Sequence, residues 1–380
     1  MILSKIDKAL CKDVSMMGSV HKWQCIIKAN DYERLKKILL HNKIEILNEY
    51  LFIKSFYVTL TKREMISLSN MSQVGFISSV SSASMQMHVA KQILELGDIT
   101  LTGKGERVAI IDTGISNHPD FLLGRNRITF FKDFINERKT NYDDNGHGTF
   151  VAGVCCGNGA LSAGRYSGVA PGAEIISLKA LNSKGEASAD KILSAMEWIY
   201  DNHKSMNIKT VCMSFGSEPL GYNDPIMSGA EALWRDGVVV VAAAGNSGPE
   251  YQTIKSPGVS SQIITVGGFD DNRINDDEFN KNYFELASFS SRGPAFQRYK
   301  PDLVAPSVDI VSCGTKENYT KLSGTSVATP MIAGCIALLF EKQPFLSPNE
   351  IKKIILSLCQ PISFNRNYEG FGYLNLSKLK

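Results

Sequence analysis

The sequence predicts an α/β protein built on a doubly wound, mostly parallel sheet, with a small α+β domain in front of it. Three observations predict this. From about Gly103 onward, strands read as continuous apolar runs rather than alternating ones, as strands covered on both faces do. Helical patterns alternate with those runs, which is the signature of a doubly wound sheet. The third is a change of pattern near residue 84, where residues 78–84 hold five serines in seven positions and mark a linker. The expected domains are therefore 1–83 and 84–380.

The elements follow in order. Residues 23–28 form a short apolar strand. Over 32–41, Leu35, Ile38 and Leu39 recur at helical spacing. Residues 44–47 and 52–60 read as strands, 62–71 as a helix and 74–80 as a closing strand, an order that suits a small split βαβ sandwich. Beyond the linker, the run 108–111 ends in Asp112, and similar runs span 174–181, 210–214, 238–244 and 263–266. Helical patterns lie between them at 190–204 and 227–236, and another follows at 325–341.

Composition excludes several functions. Of the 380 residues, 43% are apolar, enough for a large core, and 21% are charged, too few for wholesale disorder. The net charge of +3 comes with no Lys/Arg-rich block, which argues against a nucleic-acid partner. The N-terminus lacks the apolar stretch of a secretory signal. The longest apolar run, 333–340, falls far short of the roughly 20 residues that span a bilayer. No membrane association and a cytoplasmic location are the expectation. The eight cysteines include no C-x-x-C pair, so zinc has no support, and buried free thiols are expected.

Three segments carry the candidate chemistry. Asp112 closes an apolar strand, where the carboxyl ends of an open α/β sheet line the ligand crevice. His147 sits between Gly146 and Gly148 and opens a stretch of small residues that can start a tightly packed helix. Ser326 follows Gly324-Thr325 and precedes a long apolar helix, which places its hydroxyl in the field of a helix N-terminus. Singly, each has an ordinary structural explanation, an N-cap above all. Together they supply the acid, base and nucleophile of a Ser/His/Asp set.

The segments around Asp112 (VAIIDTG), His147 (DDNGHGTFVAG) and Ser326 (SGTSVATP) resemble the Asp, His and Ser signatures of the subtilase family, in that family's chain order. The stretches AAAGNSG, SFSSRGP and KPDLVAP add to the resemblance, and DDNGH and SPGV look most like the AprX-type members. The resemblance implies a serine endopeptidase acting on polypeptides through an acyl-enzyme, with no cofactor needed for the chemistry. It implies Asn246 in the oxyanion hole and Ser214, Phe215, Gly216, Ala244 and Gly245 in substrate binding. By the same resemblance, Lys255 falls near the base of the primary pocket, where it would favour acidic or amide side chains or else point to solvent. Residues 1–83 would be an inhibitory propeptide, cut between Ser81 and Met87. Structural calcium is common in the family, and Asp120 with the loop 157–168 is the place to look for it, although that loop lacks a clear run of oxygen ligands. Four positions depart from the pattern: Phe215 for Leu, Phe150 for His at a site expected to be packing, Val327 for Met after the nucleophile, and Ser307 for Gly. A catalytically silent protein on the same fold and an acyl transferase are the alternatives. An α/β-hydrolase esterase is disfavoured by the chain order and the lack of a G-x-S-x-G elbow.

Overall fold

Strand β1 (Lys22–Ala29) buries Trp23, Cys25, Ile27 and Ala29 and turns the residues between them outward, the alternation of a strand with one face on a core. The structure is a computed structural model that describes residues 5–6, 10, 21–51, 54–79, 92–95, 100–272 and 281–377. The chain divides into two compact units, Met1–Ser84 and Met85–Lys380.

In the first unit, β1, β2 (Ile46–Tyr50), β3 (Ser55–Thr61) and β4 (Val74–Ser79) form an antiparallel sheet in the order β2-β3-β1-β4. Helix Tyr32–His41 buries Leu35 and Leu39, one turn apart, and Asp31 caps it by accepting from Arg34 N–H. Helix Lys62–Ser69 opens with a capping box between Thr61 and Glu64. The βαββαβ order matches the expectation, with shifts at the ends. The strand expected at 44–47 begins two residues later, and that expected at 52–60 starts at Ser55, with Phe52 and Ile53 outside the described residues. Ser78 and Ser79 belong to β4, paired with Ile26 and Cys25, and not to a linker. The rest of the serine-rich stretch, and the cut expected between Ser81 and Met87, lie outside the described residues.

The second unit has the predicted α/β architecture. Strands β5 (Arg107–Asp112), β6 (Ile128–Asp133), β7 (Glu174–Lys179), β8 (Ile208–Met213), β9 (Val239–Ala243), β10 (Ile264–Asp270) and β12 (Leu303–Pro306) are parallel, in the order β12-β10-β9-β8-β5-β7-β6. The short β11 (Glu285–Leu286) pairs antiparallel with β10. Every residue of β7 and β9 is buried, which is why these strands read as unbroken apolar runs. From β5 the chain builds β6 and β7 on one side and β8 to β12 on the other. The carboxyl end of β5 is therefore a topological switch point, where such sheets place their sites.

Helices Ala189–Met206 and Pro225–Arg235 pack as one pair, and His147–Cys156 and Thr325–Lys342 as another. Thr325–Lys342 is long and apolar enough to cross a membrane by length and composition alone, a test that a buried core helix also passes. It is instead the central core helix, buried over 83% of its most apolar window. The hairpin β13 (Ile310–Cys313) and β14 (Tyr319–Leu322) and the short strands β15 (Cys359–Gln360) and β16 (Tyr373–Leu374) had no clear sequence signal, whereas helix Pro348–Ser357 was missed despite its Ser347–Glu350 capping box and buried Ile351 and Ile355. Cys155, Cys156, Cys212, Cys313 and Cys335 are buried free thiols, and Cys359 is a half-buried one. Cys11 lies outside the described residues.

Candidate active site

Asp112 ends β5 at the switch point and is 1% exposed. Its Oδ1 accepts from Thr113 N–H at 2.7 Å and lies 2.8 Å from His147 Nδ1. Its Oδ2 is buried without a hydrogen-bond partner among the described residues. The imidazole is therefore the main group that meets this carboxylate's charge. His147 is the first residue of helix His147–Cys156, which follows Gly146 in a left-handed conformation (φ 106°). Burial alone would lower the imidazole's pKa. The charge and hydrogen bond of Asp112, with the charge of Asp143, outweigh it and hold His147 above the ordinary histidine value.

The loop that presents His147 is pinned by Asp143. Its carboxylate accepts from the N–H groups of Asn145 (3.1 Å), Gly146 (2.8 Å) and Thr149 (2.9 Å) and from the hydroxyls of Thr149 (2.7 Å) and Thr113 (2.9 Å). Burial opposes its charge, yet these bonds keep its pKa below the usual carboxylate range. The Thr113 hydroxyl also accepts from Gly148 N–H at 2.8 Å, tying the residue after Asp112 to the residue after His147. Sequence reasoning missed both Asp143 and Thr113, because an acid in an Asp-Asp-Asn-Gly turn reads as turn chemistry.

Ser326 is the second residue of helix Thr325–Lys342. A Cβ built on Gly324 would lie 3.2 Å from Ser326 Oγ and 3.3 Å from Asn246 Nδ2, so hydroxyl and amide flank the same glycine. Asn246 is oriented by its Oδ1, which accepts from Thr325 N–H (2.9 Å) and Thr325 hydroxyl (3.0 Å). Thr325 hydroxyl in turn accepts from Gly245 N–H at 3.1 Å. The structure thus joins Asp112 to His147 directly and places Ser326 and Asn246 around Gly324, and the helices that begin at His147 and at Thr325 pack together.

Ser214, Phe215 and Gly216 continue beyond the end of β8, and Ser217 pairs with Ser256 in both directions at 2.9 Å. Ala244 and Gly245 follow β9, and Ala244 carbonyl accepts from Lys255 N–H at 2.9 Å. The Lys255 stem lies between the two segments. A Cβ on Gly216 would come within 2.6 Å of Lys255 Cβ, and one on Gly245 within 2.5 Å of Lys255 Cγ. The Lys255 stem is enclosed, its side chain being 17% exposed, while its ammonium reaches the surface and meets the exposed Glu218 carboxylate. Phe150 is fully buried, as its packing role required. Ser307, whose presence in place of Gly the sequence left unexplained, is buried. Its N–H and hydroxyl both donate to Phe269 carbonyl (3.0 and 3.1 Å), and its carbonyl accepts from Gly324 N–H at 2.8 Å. It anchors the turn before Ser326 to β10.

The Asp120 corner does not fit calcium. Its carboxylate is fully buried and already accepts from Leu161 N–H (2.9 Å), from Tyr319 hydroxyl (2.9 and 3.0 Å) and from Cys313 thiol (3.6 Å). Its neighbours His118 and Cys313 offer nitrogen and sulfur, whereas calcium takes six to eight oxygens. The buried Arg127 guanidinium donates to the carbonyls of Asp120 and Cys156, supplying positive charge from within the chain.

A carboxylate-supported imidazole at the start of one helix and a serine beside an oriented amide at the start of its neighbour are the arrangement expected of a serine-protease site. The subtilase family description matches residues 103–373, and the chain belongs to that family. It is 41% identical over 290 residues to serine protease AprX of Bacillus subtilis (strain 168), covering 70% of this chain but only 63% of the relative's length. It is 33% identical over 277 residues to subtilisin DY of Bacillus licheniformis, covering 72% and 90% of the two chains. Among solved structures it is similar to sphericase, with TM-score 0.66 and 28% identity over 76% of this chain and 97% of that one.

Proposed function

We propose that this subtilase hydrolyses peptide bonds through an acyl-enzyme on Ser326, with His147 as general base and Asp112 orienting it. The observation that carries this reading is the 2.8 Å contact between Asp112 Oδ1 and His147 Nδ1, made by a carboxylate whose other oxygen is buried without a partner among the described residues. His147 Nε2 takes the Ser326 proton as Oγ attacks the carbonyl, and Asp112 fixes the imidazole tautomer and stabilises the imidazolium. The developing oxyanion is held by Asn246 Nδ2 and the N–H of Ser326 at the helix N-terminus. His147 then protonates the leaving amine, and water repeats the sequence to free the acid.

An extended substrate would add to the segment Ser214–Gly216, where main-chain pairing gives affinity with little demand on sequence. Lys255, between Gly216 and Gly245, would favour an acidic or amide side chain before the scissile bond. Residues 1–83 would act as an intramolecular inhibitor and folding aid that the enzyme removes itself. The free buried thiols fit a reducing, cytoplasmic setting. The test is incubation of the purified chain beside Ser326→Ala, with N-terminal sequencing of the products. Fragments that appear only with Ser326 present, starting between residues 81 and 87, support both activity and maturation. Fragments that appear equally in both sink the proposal.

A further inference from the structure

Lys179 ends β7 directly opposite Asp112 in the parallel β5–β7 register, and it is fully buried. A buried ammonium is unfavourable unless every N–H finds an acceptor, and lysine has three to satisfy. All three are satisfied, by acceptors from three chain segments. Nζ donates to Thr113 carbonyl at 2.6 Å, to Asp144 Oδ1 at 2.7 Å and to Leu181 carbonyl at 2.9 Å. Thr113 follows Asp112, and Asp144 lies three residues before His147. Leu181 is itself fastened to Asp112, whose carbonyl accepts from the N–H groups of Ala180 (3.0 Å) and Leu181 (3.1 Å). The Tyr142 ring lies 5.1 Å from the ammonium and covers it.

The geometry points to Lys179 as a positioning residue for the Asp112–His147 pair. The inference rests on the triad reading above. Stability alone does not call for a charge here, since an apolar side chain at the end of a buried strand serves a core as well or better. What the ammonium adds is direction: one point that sets the end of β5 and the loop entering the His147 helix relative to each other. The 2.8 Å Asp112–His147 contact spans that same gap. A misplacement of about 1 Å in catalytic geometry costs on the order of 100-fold in rate. Asp143 supports the loop through its own backbone and Thr113, and none of its bonds reaches β7. Both nodes tie the end of β5 to the loop entering the His147 helix, Asp143 through the Thr113 hydroxyl and Lys179 through the Thr113 carbonyl, but only Lys179 adds β7.

The test compares Lys179→Met, Asp144→Ala and Asp144→Asn with wild type on a chromogenic peptide amide, with active sites counted by fluorophosphonate titration. The low-field proton resonance of the His147–Asp112 hydrogen bond is followed by NMR. Lys179→Met and Asp144→Ala are each expected to lower kcat per titrated site about tenfold or more. KM should stay within about twofold, and the resonance should broaden or shift. Asp144→Asn, which keeps an acceptor oxygen, should recover most of the rate. Wild-type kcat with an unmoved resonance in Asp144→Ala overturns the proposal, as does a loss fully explained by fewer titrated sites. If Lys179→Met fails to fold, the Asp144 pair decides alone, because that side chain is 36% exposed and counting titrated sites removes from the rate any chains that Asp144→Ala unfolds. Ser326→Ala is run alongside: turnover that survives it removes the triad reading itself, whatever the other variants do.

Discussion

His147 sets the pH dependence of the proposed reaction. Only the neutral imidazole accepts a proton, and the Asp112 charge holds its pKa above the ordinary histidine value. The acid limb of kcat/KM is therefore expected above that value, rate being gained as pH rises through it. Asp112→Asn should move the limb to lower pH as well as cut kcat, and a pH profile on a peptide amide checks both. Asn246→Ala should lower kcat by about 10²–10³-fold, the range such a donor is worth in subtilisin itself, with KM little changed. Val327 is 1% exposed and has no thioether, so the enzyme should keep its activity in peroxide, whereas Val327→Met should lose it by sulfoxide formation. The sequence marked Asp112, His147 and Ser326 as candidates by their places at element ends, and Asn246 only through the family resemblance. It did not mark Lys179, Thr113 or Asp143. Their partners come from other segments, so their meaning appears only once β5 and β7 are in register.

At the scale of elements, the site is a set of strand ends held apart at measured gaps. The Gly216–Lys255–Gly245 layer shows how narrow those gaps are. Gly245 has φ 105°, a conformation that penalises any side chain, and its missing Cβ would meet Lys255 at 2.5 Å. Gly245→Ala is expected to lower kcat/KM at least tenfold, and adding Lys255→Ala should restore part of it; steady-state kinetics of the single and double variants measure the coupling. Far from the triad, the Asp120 corner is fastened by protein donors. Tyr319→Phe removes the hydroxyl that meets both carboxylate oxygens and should cost about 1–3 kcal/mol of stability. Thermal melts should show that loss with or without a chelator. The sequence offered Asp120 as a candidate oxygen ligand, and it could not show that Tyr319, 199 positions away, already fills the role of partner.

Across the whole molecule, the apolar runs predicted the buried parallel strands well, because burial on both faces leaves a local trace. The order of strands leaves none. That β5 lies between β7 and β8, which makes Asp112 the switch-point residue, is a fact of topology and not of local pattern. The four-stranded first unit was legible in its element order, but its ends shifted where Lys54 takes a positive φ and turns the chain into β3. Everything proposed for the reaction depends on Ser326 being a nucleophile activated by His147 and Asp112. Labelling the purified chain with a fluorophosphonate, and locating the adduct by peptide mass spectrometry, probes that point without an intermediary. One adduct per chain is expected, on Ser326, lost in Ser326→Ala and strongly slowed in His147→Ala. No labelling of the folded protein, or an adduct on another residue, would contradict it.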